Sequence, residues 1–172
     1  MIDPATNPRG EEFEAYNIRR WGGSGWTRRL ISEGRKDGAT FNNWVWWPNT
    51  LKAHQLVLFA EKRGIDTSRS NEALFRCIYE DGGNASIVDD LVRVGSEDLG
   101  LPADELRQYL ENDDGAQEVK AEISRGRRKY NISGVPYFII GKERSEELPY
   151  GMSGAQSPRT FLKYFEELSG DE

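Results

Sequence analysis

Apolar positions recur at helical spacing from about Glu11 to Tyr130 and switch to a strand-like run only near the C-terminus. "EEFEAYNIRRWG" predicts a short amphipathic helix stopped by Gly22 and Gly23. "SGWTRRLISEGRKDG" predicts a second, with Trp26, Leu30 and Ile31 on one face and Gly38 as its stop. "TFNNWVWWP" is aromatic-rich and reads as extended or irregular. The clearest helix is "NTLKAHQLVLFAEKRG", capped by Asn49 or Thr50 and ended by Gly64, with Leu51, His54 and Leu58 in its apolar stripe. "TSRSNEALFRCIYEDGG" follows, with Leu74, Phe75, Ile78 and Tyr79 as the inward face. "SIVDDLVRVGSEDLG" and "PADELRQYLEND" read as shorter helices, with Pro102 at a first-turn position. "AQEVKAEISRGRRKYN" reads as a longer helix despite Gly126.

The pattern then changes period. "VPYFIIG" is β-branched and aromatic and predicts a strand. A charged turn, "KERSEELP", leads to "YGMSGA", a second short strand. "SPRTFLKYFEELSG" closes the chain as an amphipathic helix, with Ser157 as cap, Pro158 in the first turn and Phe161, Leu162 and Phe165 directed inward. Gly134 and Pro136 stand directly before the best strand. A proline there fixes φ and removes one ladder donor. The residues alone leave open a trans proline that starts an edge strand and a cis proline that displays the main chain of Val135 sideways.

Composition narrows the functions. The chain has 172 residues, 30% of them charged, and a net charge of −6, which argues against duplex DNA or an anionic membrane as the main partner. Aromatic residues make up 11%, which requires a packed interior. No apolar run reaches the ~20 residues of a membrane span, and the N-terminus lacks the charged and apolar regions of a signal peptide. A single cysteine, Cys77, excludes an internal disulfide and a Cys-x-x-Cys pair, and the expected compartment is reducing and cytoplasmic. A single histidine excludes the usual histidine metal sites, so neither metal nor cofactor is expected.

"GVPYFIIG", the turn, the small-residue strand and "SGAQSPRTFLKYFEEL" together resemble the C-terminal half of the DsbA family's thioredoxin fold, in particular its FrnE-like branch. "PNTLKAHQLVLFAEKRG", "ALFRCIYEDGGNASIVDDLVRVGSEDLGL" and "IDPATNPRGEEF" resemble other segments of the same branch, so the likeness runs along nearly the whole chain. It implies an α/β, thioredoxin-like fold with a large helical insertion and a sheet that is incomplete at its N-terminal side. One domain over 1–172 is expected, with an insertion over about 11–130 and a strand–strand–helix unit over about 131–170. It also implies that the Val135–Pro136 bond is cis. The family's opening strand, Cys-x-x-Cys helix and second strand have no counterpart in the sequence as written. The expected explanation is a truncated product or a misplaced start; otherwise a partner chain supplies the unit or the helices cover the gap.

Family chemistry is thiolate attack on a disulfide through a mixed disulfide, and it needs two thiols. Cys77, alone in mid-helix, reads as a small hydrophobe. The expectation is therefore an oxidoreductase-like protein that is redox-inactive as written. What the resemblance carries over is the binding of an extended thiol peptide or glutathione at Gly134, Val135 and Pro136 by strand addition. The alternatives are a non-catalytic peptide- or glutathione-binding module, a helical subunit or homo-oligomer built through the open strand edge, and a relative of the kappa-class glutathione transferases and isomerases. Asn49 and His54 are candidate pocket-lining residues; the competing reading of His54 is a packed, hydrogen-bonded core histidine. For Trp44, Trp46 and Trp47 packing is favoured over ligand stacking, with alternation sending Trp44 and Trp46 to one side and Trp47 to the other. The glycosylation-like "NAS" at 84–86 is discounted.

Overall fold

A computed structural model describes residues 5–143, 145 and 148–170. Parts of the charged turn at 142–149 and of the N-terminal segment thus lie outside the described residues. The chain divides into two compact units, residues 2–120 and residues 121–172.

The first unit is helical. A two-residue strand β1 (Glu11–Glu12) pairs antiparallel with β2 (Trp46–Trp47), in the register Glu11 with Trp47 and Glu12 with Trp46. Between them run α1 (Phe13–Trp21) and α2 (Thr27–Lys36). The Glu12 carboxylate caps α1 by accepting from the Ala15 N–H, and Gly22 ends it at φ +76°, a left-handed conformation that costs glycine little. Then come α3 (Leu51–Glu61), α4 (Thr67–Tyr79), α5 (Val88–Arg93) and α6 (Ala103–Glu111). α5 continues into a π-helical turn, Val94–Asp98. Pro102 stands at the N-cap of α6 rather than inside its first turn.

Leu56, Leu91, Val94, Leu106 and Leu110, all fully buried, form the centre of this unit's core, with Phe59, Leu74, Cys77 and Ile78 around them. The buried face of α3 is Ala53, Gln55, Leu56, Leu58, Phe59 and Ala60. His54 is exposed, so the stripe read through Leu51, His54 and Leu58 is displaced. Nearly every turn of α3 carries apolar residues on several sides, so spacing alone does not select the buried face. In α4 the line Ser70, Ala73, Leu74, Cys77, Ile78 is buried and Phe75 is 57% exposed. Cys77 takes the inward place expected of Phe75 because the residue after Leu74 lies about 100° round the helix.

Trp47 stacks on Tyr16 at 4.2 Å and 9°, and Trp44 stacks on Trp47 at 5.8 Å and 21°. Trp44 and Trp47 therefore share one cluster, against the expected alternation; β2 is only two residues long, and Trp44 precedes it. The cluster serves packing, with Phe13, Trp26, Phe41 and Tyr79 also in ring contact with it.

The second unit holds the C-terminal part of α7 (Ala116–Tyr130), then β3 (Tyr137–Ile140), β4 (Tyr150–Ser153) and α8 (Pro158–Ser169). α7 runs unbroken through Gly126, where a Cβ would make ordinary contact with the Ile132 methyl at 3.4 Å. β3 and β4 pair antiparallel, Phe138 opposite Met152 and Ile140 opposite Tyr150. Ser157 caps α8 by accepting from the Thr160 N–H, and Pro158 opens it. Phe161 packs edge-on against Phe138, with ring centroids 4.9 Å apart, and Tyr164 lies 4.7 Å from Tyr150. Leu162 and Phe165, read as inward, are 57% and 52% exposed, and no residue of α8 is fully buried. Two strands offer too narrow a surface to cover a helix face that needs a wider sheet.

Candidate functional site

The residues ahead of β3 form the site singled out by the sequence. Asn131 turns the chain at φ +51°, and the Val135–Pro136 peptide bond is cis. The Pro136 carbonyl accepts from the Gly154 N–H at 2.8 Å, which fixes this end of the hairpin. Val135 is 63% exposed. Neither its N–H nor its carbonyl meets a hydrogen-bond partner among the described residues. Gly134 has open space on the side where a Cβ would stand. The stretch therefore carries main-chain donor and acceptor groups without a partner among the described residues, next to a strand that pairs with β4 alone among them.

Asn49 and His54 belong to the helical unit. Asn49 is a structural knot. Its N–H donates to Ser86 Oγ at 2.7 Å, its side-chain nitrogen donates to the Thr6 carbonyl at 3.3 Å, and its Oδ1 accepts from the Leu51 N–H at 3.2 Å. The buried Asn84 works alongside it, donating from Nδ2 to the Arg9 carbonyl at 2.9 Å while its N–H donates to Asp90 at 2.7 Å. Together the two asparagines hold residues 6–10 against the helices. The "NAS" triplet is thus part of this buried lattice. His54 departs from the packed, hydrogen-bonded reading: the residue as a whole is exposed and its side chain meets no hydrogen-bond partner among the described residues. Desolvation by the surrounding protein nevertheless holds its pKa below the ordinary histidine value.

Cys77 is 1% exposed. Burial pushes its thiol up to about 11, although the Arg93 guanidinium, 3.7 Å from Sγ, pulls the other way. Gly83 is backed against it so closely that a Cβ there would overlap Sγ. The thiol is thus protonated and inaccessible at neutral pH, a packing residue.

Sequence reading does not single out a cleft of about 750 Å³ in the helical unit, lined by Phe41, Phe75, Tyr79, Arg76, Glu72 and Glu80 among others. Its most prominent carboxylate is engaged in structure: Glu80 accepts from the N–H groups of Thr40, Phe41 and Asn42 and from the Thr40 hydroxyl, and these bonds lower its pKa. Arg76 is paired with Asp98. The sequence gives no sign of this cleft, because spacing places Phe75 on the inward face of α4. Among the described residues no cluster of three or more His, Cys, Asp or Glu side chains could hold a metal, and no helix is long and apolar enough to cross a membrane.

A strand pair with a covering helix, following a helical insertion, is the second half of a thioredoxin-like architecture. Residues 40–166 match the model of the DSBA-like thioredoxin domain family, so the chain belongs to that family. A search of curated proteins finds no match.

Proposed function

We propose that this chain is the ligand-holding portion of a FrnE-like thiol–disulfide oxidoreductase, redox-inactive by itself, which binds an extended thiol peptide or glutathione along the main chain at Gly134, Val135 and Pro136. The observation that carries this reading is the main chain of exposed Val135, both of whose polar groups are without a partner among the described residues at the head of β3. Main-chain pairing of this kind gives affinity with little demand on ligand sequence. Family membership supports a thiol or disulfide compound in extended form as the class of ligand.

The chain's only cysteine supports the inactive part of the reading. A thiol with its pKa at about 11, shut in against Gly83, is neither a nucleophile nor a resolving group at neutral pH. The test is insulin reduction with dithiothreitol. The chain and its Cys77→Ser variant are both expected to stay at the uncatalysed rate. Turnover above background that disappears in Cys77→Ser would overturn the reading.

A further inference from the structure

The outward face of α4 carries a second stripe that the helical core does not use. At about 100° per residue, Ser68, Glu72, Phe75 and Tyr79 fall within about 60° of one another. The buried line Ser70, Ala73, Leu74, Cys77 and Ile78 stands opposite. The outward stripe forms one wall of the cleft of about 750 Å³, and residues 37–41 form the other.

That second wall is held in place. Glu80 accepts from the N–H groups of Thr40, Phe41 and Asn42, and these bonds sustain Phe41 at φ +52°, a left-handed conformation that bulky residues rarely adopt. The Phe41 ring lies against Gly34 of α2, where a Cβ would collide with it. It meets Tyr79 with ring centroids 5.3 Å apart, and Tyr79 meets Phe75 at 6.0 Å. The three rings thus run along the cleft in contact, and Phe75 is 57% exposed.

The charged groups of the cleft are partly committed and partly free. Arg76 is bound to Asp98, and Glu80 is occupied by the main chain of residues 40–42. Glu72 and Asp37 are exposed and form neither an ion pair nor a side-chain hydrogen bond among the described residues. The cleft therefore offers exposed ring surface beside uncompensated carboxylates. A cation whose charge is spread over a flat group gains from both, by lying over a ring and by forking onto a carboxylate. An anion is repelled, and a neutral apolar body leaves the carboxylates unused. Shape adds a second criterion. From Ser68 to Tyr79 the α4 wall is about 16 Å long at the helical rise, which is the span of about five residues of extended chain.

We propose that this cleft binds an extended peptide segment through an arginine side chain, which lies on the Phe75 ring with its guanidinium paired to the free carboxylates of Glu72 and Asp37. Thr40, Ser68 and Asn71 line the same cleft and offer hydrogen-bonding groups to the main chain on either side of the arginine. Arginine fits better than lysine because its planar head stacks and pairs at once. The site lies wholly within the helical unit and does not depend on the ligand reading at Val135.

An amide NMR titration of the full chain at low salt tests it, with acetyl-Gly-Gly-Arg-Gly-Gly-amide as the probe. Saturable shifts are expected at Phe41, Glu72 and Phe75, with Gly134 and Val135 unmoved. Citrulline in place of the arginine keeps the shape and removes the charge, and is expected to weaken binding by at least about tenfold. Phe75→Ala and Glu72→Gln, both at exposed positions, are each expected to weaken it by about fivefold or more, and Asp37→Asn, in the opposite wall, likewise. No shift in the cleft at millimolar peptide, equal binding of the citrulline peptide, or binding indifferent to these three substitutions overturns the proposal. Equal affinity for acetyl-arginine amide, which carries the head without the flanking chain, overturns a peptide as the occupant.

Discussion

His54 and Val135 show what a single position can and cannot announce. His54 has a pKa held down by desolvation in the native state, so the folded protein takes up its proton at lower pH than the unfolded chain does. Stability tied to this residue is present above the unfolded value, near pH 6.5, and falls as pH falls below it, because the unfolded state then binds the extra proton. As it is the chain's one histidine, its NMR titration is free of overlap. We expect a midpoint below 6.5, and His54→Gln to flatten the loss of urea resistance between pH 7.5 and 5.5. A midpoint at or above 6.5 would contradict the desolvated environment. Cys77 is readable from sequence as a packing residue because it sits between apolar neighbours in a helical pattern. The exposure of His54 is not, because polar and apolar residues alternate around α3 without a clean stripe. The prominence of Val135 is signalled by the Gly134 and Pro136 breakers beside it. The free state of its N–H and carbonyl needs coordinates.

Elements are easier to read than their faces. The caps and stops at Gly22, Ser157 and Pro158 fall where helix-terminus chemistry puts them, and α7 runs through Gly126 as expected. Faces fail where the partner layer is unknown: spacing alone assigns Phe75, Leu162 and Phe165 inward, and all three are exposed. The π-helical turn Val94–Asp98 leaves no trace in the pattern. Its reason is visible in the packing. Gly95 is buried directly beneath Leu106, where a Cβ would collide with the leucine methyl, so the widened turn presses α5 onto α6. Leu106 is fully buried at that contact. We therefore expect Leu106→Ala to cost about 2–5 kcal/mol in urea unfolding, the range for a leucine truncated in a closely packed core. A loss under about 1 kcal/mol would mean that the α5–α6 contact closes over the gap or contributes little.

The whole chain divides into a helical unit that carries its own core and a strand–strand–helix unit in which, of the described residues, only Met152 is fully buried. Sequence pattern and family likeness place the change of character near residue 131; the structure divides the chain at 120/121, within α7. The boundary differs because a helix shows one continuous period even where its two halves pack in different units. The helical unit is stabilised by leucine packing, and in the smaller unit the main chain of Val135 meets no hydrogen-bond partner among the described residues.

The measurement that bears most directly on the ligand-holding role is an amide NMR titration of the chain with glutathione disulfide and with a short extended thiol peptide. The account predicts saturable shifts at Gly134, Val135 and Tyr137, with the amides of Leu56 and Leu106 unmoved. No shift at those three amides at millimolar ligand, or shifts confined to the helical unit, would contradict it.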